Sequence, residues 1–119
     1  MPDPADATRS FDRAVLDRLR AALGDDTGVF AARVIQTFLR QGSELVTELE
    51  QAARDGDVQV VSALAHKLKG SSGSVGGERL VVLCDELEHW DLGAADLGGK
   101  VGSLAEAVQV LNRELSSYS

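Results

Sequence analysis

Val101, Leu104, Val108, Leu111 and Leu115 recur in alternating steps of three and four along the end of the chain. That spacing is the most restrictive feature of the sequence, because it lines up along one face of a helix turning every 3.6 residues. A strand needs alternation at period two, and no stretch of the chain offers a convincing case. A helix with one apolar stripe does not persist alone in water. It must lay the stripe against other helices with the same need.

Those partners can be read upstream. Residues 1–9 hold Pro2 and Pro4 among Asp and Ala, and are expected to be a flexible segment that does not pack. Residues 10–119 are expected to form one helical bundle domain. Ser10 is the expected N-cap of a first helix, on which Phe11, Val15, Leu19 and Leu23 share a face, and Gly24 ends it. Asp25, Asp26 and Thr27 offer caps for a long second helix over about 28–54, with a stripe of Phe30, Val34, Phe38, Leu45, Leu49 and Ala52 whose phase is imperfect, Ile35, Leu39 and Val46 widening it on one side. Arg54-Asp55-Gly56-Asp57 closes it and caps a third helix from about 58, with Val61, Leu64, Ala65, Leu68 and Val75 on one face. Gly76-Gly77 is the expected turn. A fourth helix over about 78–90 repeats Leu80, Leu83, Cys84 and Leu87, and 91–99 is a connection or a frayed helix start.

Aromatic residues make up 4 % of the chain, so the core rests on Leu, Val and Ala, a composition that suits helix on helix rather than sheet on sheet. Short loops favour antiparallel neighbours. The expected fold is all-α: an up-down-up-down antiparallel four-helix bundle with a short additional N-terminal helix covering one end. At 119 residues this is one domain with one core, and one bundle can bury its own stripes, so a monomer is expected. A single cysteine excludes an internal disulfide. The net charge of −7 argues against a nucleic-acid partner. The polar start MPDPADATRS has no apolar run of a leader, and no run approaches membrane-spanning length. A cytoplasmic protein with no membrane partner is expected. The initiating Met and the complete bundle fit a free-standing protein, although a fragment of a larger kinase would read the same way.

The stretch AHKLKGSSGSVGG, residues 65–77, interrupts this regularity. Glycine costs a helix roughly 1 kcal/mol relative to alanine, yet four follow His66 within eleven positions. On the third helix His66 points away from the apolar arc, out to water. Gly70 lies one turn further along the same face, Gly73 is its other near neighbour, and Gln59, Ser62 and Ala63 occupy the turns before. An imidazole bordered by small residues can enter the active site of another macromolecule, where its neutral nitrogen acts as a nucleophile. Lys69 projects along one flank and suits phosphoryl oxygens, and Lys67 adds positive charge to an otherwise acidic chain. An isolated surface histidine usually means nothing, and mid-helix glycines can mark a helix end.

The order His66, Lys69, Gly70, Ser71, Ser72 and Gly76 resembles the signature of histidine-containing phosphotransfer (HPt) domains: His-x-x-Lys-Gly, two small residues, then Gly. The signature covers 65–77, and the likeness extends through GERLVVLCDELE, 77–88. The resemblance implies a phosphorelay intermediate that accepts a phosphoryl group on His66 from a receiver-domain aspartate and passes it to another. It implies Lys69 at the phosphate and Gly70 as room for the receiver. Gly73, Ser62, Ala63 and Lys67 would border the partner. Glu88 stands where a polar residue, often Gln, can hold the imidazole; a carboxylate there accepts from Nδ1–H and leaves Nε2 to attack. The partners implied are response-regulator receiver domains, including those of a hybrid histidine kinase. The chain would be a phosphocarrier rather than an enzyme. It needs no cofactor, the receiver supplying the aspartate, Mg²⁺ and most of the catalysis. Two departures stand out: Ala63 where the family often has Arg, and the extra glycines Gly73 and Gly77.

Other readings are weaker. A non-phosphorylated helical adaptor that docks on a receiver or histidine kinase is the alternative. Cys84 shares the apolar face of its helix and reads as a core residue. His89 reads as exposed, and a zinc site from Cys84, Glu88 and His89 fails because Cys84 and His89 diverge around the helix. Trp90 and Tyr118 read as packing residues near bundle ends. Ser71 and Ser72 lack a nucleophile elbow, and GSSGSVGG lacks the ending and the strand of a phosphate-binding loop. Val60 and Val82 are the candidate apolar contacts beside His66.

Overall fold

The computed structural model describes residues 8–118. Five helices follow one another: α1 (Arg13–Leu23), α2 (Val29–Arg54), α3 (Val58–Ser74), α4 (Glu78–Glu88) and α5 (Leu97–Ser116), with no strand among the described residues. α3 packs on α2 and α4, and α5 closes the ring against the same two helices. Short connections between ring neighbours give the expected up-down-up-down bundle.

The apolar stripe of α5 lies in the core. Val101, Leu104, Val108, Leu111 and Leu115 are all buried, joined on α5 by Leu97 and Ala107. Leu80, Leu83, Cys84 and Leu87 face them from α4, and Val61, Ala65 and Leu68 from α3. Leu64 sits at the edge, half-buried.

Two stripes run differently from expectation. On α2 the buried positions are Ala31, Ile35, Phe38, Gly42, Leu49 and Ala52, while Phe30 is 45 % exposed and Val34 and Leu45 are only half-buried. Ala31 and Gly42 carry little apolar signal of their own, and the Phe38 ring from the preceding turn lies 3.7 Å from where a Gly42 Cβ would stand. On α1 only Leu16 is buried, Phe11 and Leu19 pack at the margin, and Leu23 is exposed. A helix that touches the bundle over one end needs one turn of stripe, not three.

Boundaries also shift. The N-cap of α1 is Asp12, not Ser10: its carboxylate accepts from Ala14 N–H at 3.0 Å. α4 ends at Glu88, two residues early, and α5 starts at Leu97. Between them Trp90 donates its indole N–H to the Gly93 carbonyl at 2.8 Å. Tyr118 donates to Asp17 at 2.6 Å and meets the Phe11 ring edge-on, tying α1 to the end of α5. Of the segment expected to be flexible, residues 1–7 lie outside the described residues. Arg9 within it pairs with Glu78 at 2.9 Å, and its carbonyl accepts from Arg79 N–H.

Gly28 precedes α2 at φ +78 and offers no side chain as a cap. Asp25 takes that duty from three residues upstream, accepting from Phe30 N–H at 3.2 Å and Ala31 N–H at 3.0 Å. Those backbone bonds, Ala31 foremost, hold its carboxyl below the usual aspartate range. A depressed folded-state value means stability that is present above the unfolded aspartate range and lost as pH falls through the folded one. Asp25→Ala is therefore expected to lower Tm at neutral pH. The difference from wild type should shrink once pH drops below about 3.9. An undiminished difference in acid, measured by circular dichroism, would remove the carboxylate from the cap.

The turn joining α3 to α4 uses two glycines. Val75 is buried, and Gly76 follows at φ +83, a left-handed conformation that glycine adopts without strain. The Gly76 carbonyl accepts from Asp12 N–H at 2.8 Å, and Gly77 N–H returns to the Ser72 carbonyl at 2.8 Å. This turn therefore both ends α3 and anchors the entry to α1.

Candidate functional site

α3 places its site residues by the same rotation that buries its stripe. With Val61, Ala65 and Leu68 fully inward, the His66 side chain stands 68 % exposed. Gly70 is exposed one turn on, and a Cβ built there would meet no atom within 4 Å. Gly73 is also exposed, with only Val81 of α4 at the limit of contact. Ala63 and Lys67 are exposed as well. Ser62 is half-buried, and its hydroxyl is spent on the Glu88 carbonyl at 2.6 Å, fastening α3 to the end of α4. Ser72 is fully buried, its hydroxyl bonded back to the Leu68 carbonyl at 2.6 Å, so it takes no part in surface chemistry.

α4 presents Asp85 and Glu88, three residues apart, toward this face of α3. Glu88 Oε1 lies 2.6 Å from His66 Nδ1. A carboxylate is an acceptor only, so the bond requires the proton on Nδ1 and leaves the Nε2 lone pair available. Nε2 bonds to no other described residue. The other Glu88 oxygen pairs with the Lys69 ammonium, which also donates to Asp85 Oδ1 at 3.2 Å. Lys69, expected along one flank of His66, is held between two carboxylates. The ammonium first, and then the imidazole hydrogen bond, keep the Glu88 carboxyl below its ordinary range, against the opposing effect of desolvation. The same pairing, Glu88 ahead of Asp85, raises Lys69. Glu88 is an anion and Lys69 a cation at neutral pH.

Sequence reasoning missed Asp85. Its signal is the i, i+3 spacing to Glu88, which puts two acids on one helix face. It also missed a groove of about 380 Å³ between α2 and α3, lined by Phe30, Val34, Phe38, Ser71, Ser74 and Val75 among others. Ser74 lies one turn beyond Gly70, so the groove continues the face that bears His66. Val60 is 43 % exposed and Val82 half-buried.

Cys84 is buried, and desolvation pushes its thiol up to about 12, which removes it from nucleophilic and metal chemistry at neutral pH. His89 is exposed, with Nδ1 2.9 Å from the Asp85 carbonyl oxygen. Asp85, Glu88 and His89 offer ligand atoms within 4.8 Å of one another. The Lys69 ammonium already lies against both carboxylates and supplies the positive charge there. No helix among the described residues is long and apolar enough to cross a membrane.

A family model described as the Hpt domain matches residues 33–118, which include α3, α4, α5 and most of α2. Multistep phosphorelay regulator 1 of Schizosaccharomyces pombe is 26 % identical over 107 residues. The match takes in 89 % of this chain and 36 % of that protein, so the chain spans about a third of its relative's length. Among solved structures, histidine-containing phosphotransfer protein B from Pseudomonas aeruginosa PAO1 superposes with a TM-score of 0.78. It is 22 % identical, with 92 % of this chain and 94 % of that one covered.

Proposed function

The chain belongs to the Hpt domain family, and from that premise we propose that it is a phosphorelay intermediate carrying its phosphoryl group on Nε2 of His66. The observation that carries the assignment is the exposed ring whose Nδ1 is fixed by Glu88 at 2.6 Å. The donor is the aspartyl phosphate of one receiver domain, and the acceptor is the aspartate of another. In the forward step the Nε2 lone pair forms a bond to phosphorus as the acyl P–O bond breaks and the receiver's carboxylate leaves. Nδ1 keeps its proton, so the phosphorylated ring carries positive charge, and Glu88 faces that charge. Onward transfer reverses these events: the N–P bond breaks and the ring leaves as neutral imidazole. The protonated ring is the better leaving group, so the same carboxylate serves arrival and departure.

Phosphoryl transfer asks mainly for in-line positioning and charge neutralisation. Mg²⁺ and the catalytic acids come with the receiver, and Lys69 adds a cation from this side. The chain turns over no substrate by itself; it is a carrier. The receiver covers the glycine border of His66, and its apolar loops have the Phe30 groove and Val60 to rest on.

The decisive experiment mixes the protein with receivers charged by a ³²P-labelled donor and asks whether the label moves. Uptake supports the carrier. Binding that survives His66→Ala, with no transfer in any pairing, selects the adaptor instead. Gly70 separates fold from docking. Gly70→Ala is expected to raise stability by about 1 kcal/mol, because the new methyl meets open space in a helix interior. Gly70→Gln is expected to fold and yet to slow transfer by roughly 10- to 100-fold, as a receiver held off by about 1 Å loses that much. Equal transfer rates for glycine and glutamine would show that no backbone comes close there.

A further inference from the structure

Lys69 is engaged before any phosphoryl group arrives. Its ammonium is shared between Glu88 and Asp85, the latter at 3.2 Å. The two anions are not equivalent. Glu88 is committed to His66 through its other oxygen and is mostly covered, its side chain 19 % exposed. Asp85 forms neither a hydrogen bond nor an ion pair with His66. It is 57 % exposed, and its carboxylate also lies 3.5 Å from the His89 ring. Its carboxylate therefore acts on the reacting centre only through Lys69.

A phosphoryl group on Nε2 brings roughly two negative charges. Lys69 lies three residues after His66, on an adjacent position of the same helix surface, and its stem is flexible. The ammonium can turn to the phosphoryl oxygens only by loosening its bond to Asp85. Resting on the carrier reading above, we propose that Asp85 is a positioning residue that competes with the phosphoryl group for Lys69, and so keeps phosphohistidine loosely held and ready to leave. A carrier must release as easily as it accepts. An unopposed lysine beside the phosphate would favour retention.

The test compares Asp85→Asn in the wild-type and Lys69→Ala backgrounds. Each protein is equilibrated with a receiver that labels the wild type, and the ratio of phosphorylated carrier to phosphorylated receiver is measured. The lifetime of each isolated phosphoprotein is measured alongside. With Lys69 present, Asp85→Asn is expected to raise both ratio and lifetime by roughly twofold to fivefold, the range open to an exposed ion pair. With Lys69→Ala the same substitution should change neither. An unchanged or lowered ratio in the first background overturns the inference, as does an equal rise in the second. A wild-type protein that no receiver labels overturns the carrier reading on which the inference rests, and is told apart by the absence of any signal to compare.

Discussion

His66→Gln is expected to take up no detectable phosphoryl group from any receiver that labels the wild-type protein. The side chain is mostly exposed, so its replacement costs the fold little, and Tm should stay within about 1 °C. Glutamine can still donate to Glu88, but its amide nitrogen has no basic lone pair with which to attack phosphorus. The loss is one of chemistry, not of docking: binding to the receiver should persist while labelling disappears. The wild-type label should be labile in acid and stable in base, as a phosphorus–nitrogen bond requires. His89 is the internal control. It is just as exposed, yet its Nδ1 faces the Asp85 carbonyl oxygen, outside the pairing that fixes His66. His89→Gln should label like the wild type. Labelling of His66→Gln at the wild-type rate would show that the carrier atom lies elsewhere.

The second large effect concerns stability. Gly76→Ala is expected to destabilise the protein by about 3 kcal/mol, with Tm lower by roughly 10 °C. Two causes add. A residue with a Cβ resists the φ of +83 found there, and that Cβ would overlap the Asp12 carbonyl oxygen and sit 3.3 Å from Val15 Cβ. The first of these neighbours is backbone and cannot swing aside, so the start of α1 must move off the bundle. Leu16 and the Asp12-to-Gly76 hydrogen bond go with it. A thermal melt of Gly76→Ala beside Gly70→Ala makes the comparison direct, since the two substitutions have opposite expected signs six residues apart. Equal melts would mean that the α1 contact contributes nothing.

That contrast marks what could be read from the sequence. The sequence separates the glycines of 65–77 into an exposed pair beside His66 and a turn pair, but not by what each would meet if it carried a side chain. Gly70 and Gly73 face outward and leave space, whereas Gly76 and Gly77 are buried in a turn. The start of α1 closes over Gly76 and Leu111 of α5 over Gly77, and no periodicity predicts where such neighbours will lie. The α4 and α5 stripes were legible because leucine and valine there mark the buried face without ambiguity. The α2 stripe was legible in part: Phe38, Leu49 and Ala52 are buried as expected, but Ala31 and Gly42 are buried without a large apolar side chain to announce it. The outward direction of His66 followed from its distance around α3 from Val61, Ala65 and Leu68. Its neighbours across the gap did not follow in the same way. Glu88 could be named from the resemblance, but Asp85 and the shared lysine depend on how α4 is rotated against α3, and a single helix pattern carries no information about that angle.

The Glu88 carboxylate meets His66 with one oxygen and Lys69 with the other. One carboxylate shared between an ammonium and a ring N–H serves neither at full strength, so its grips on them are reciprocal: whatever draws the ammonium away tightens the hold on the ring N–H by the same free energy. A newly arrived phosphate that attracts Lys69 would therefore leave Nδ1–H more firmly held by Glu88. Loading would fix the ring's orientation for the next transfer, through a shift of charge between neighbouring side chains and with no rearrangement of the helices that carry them.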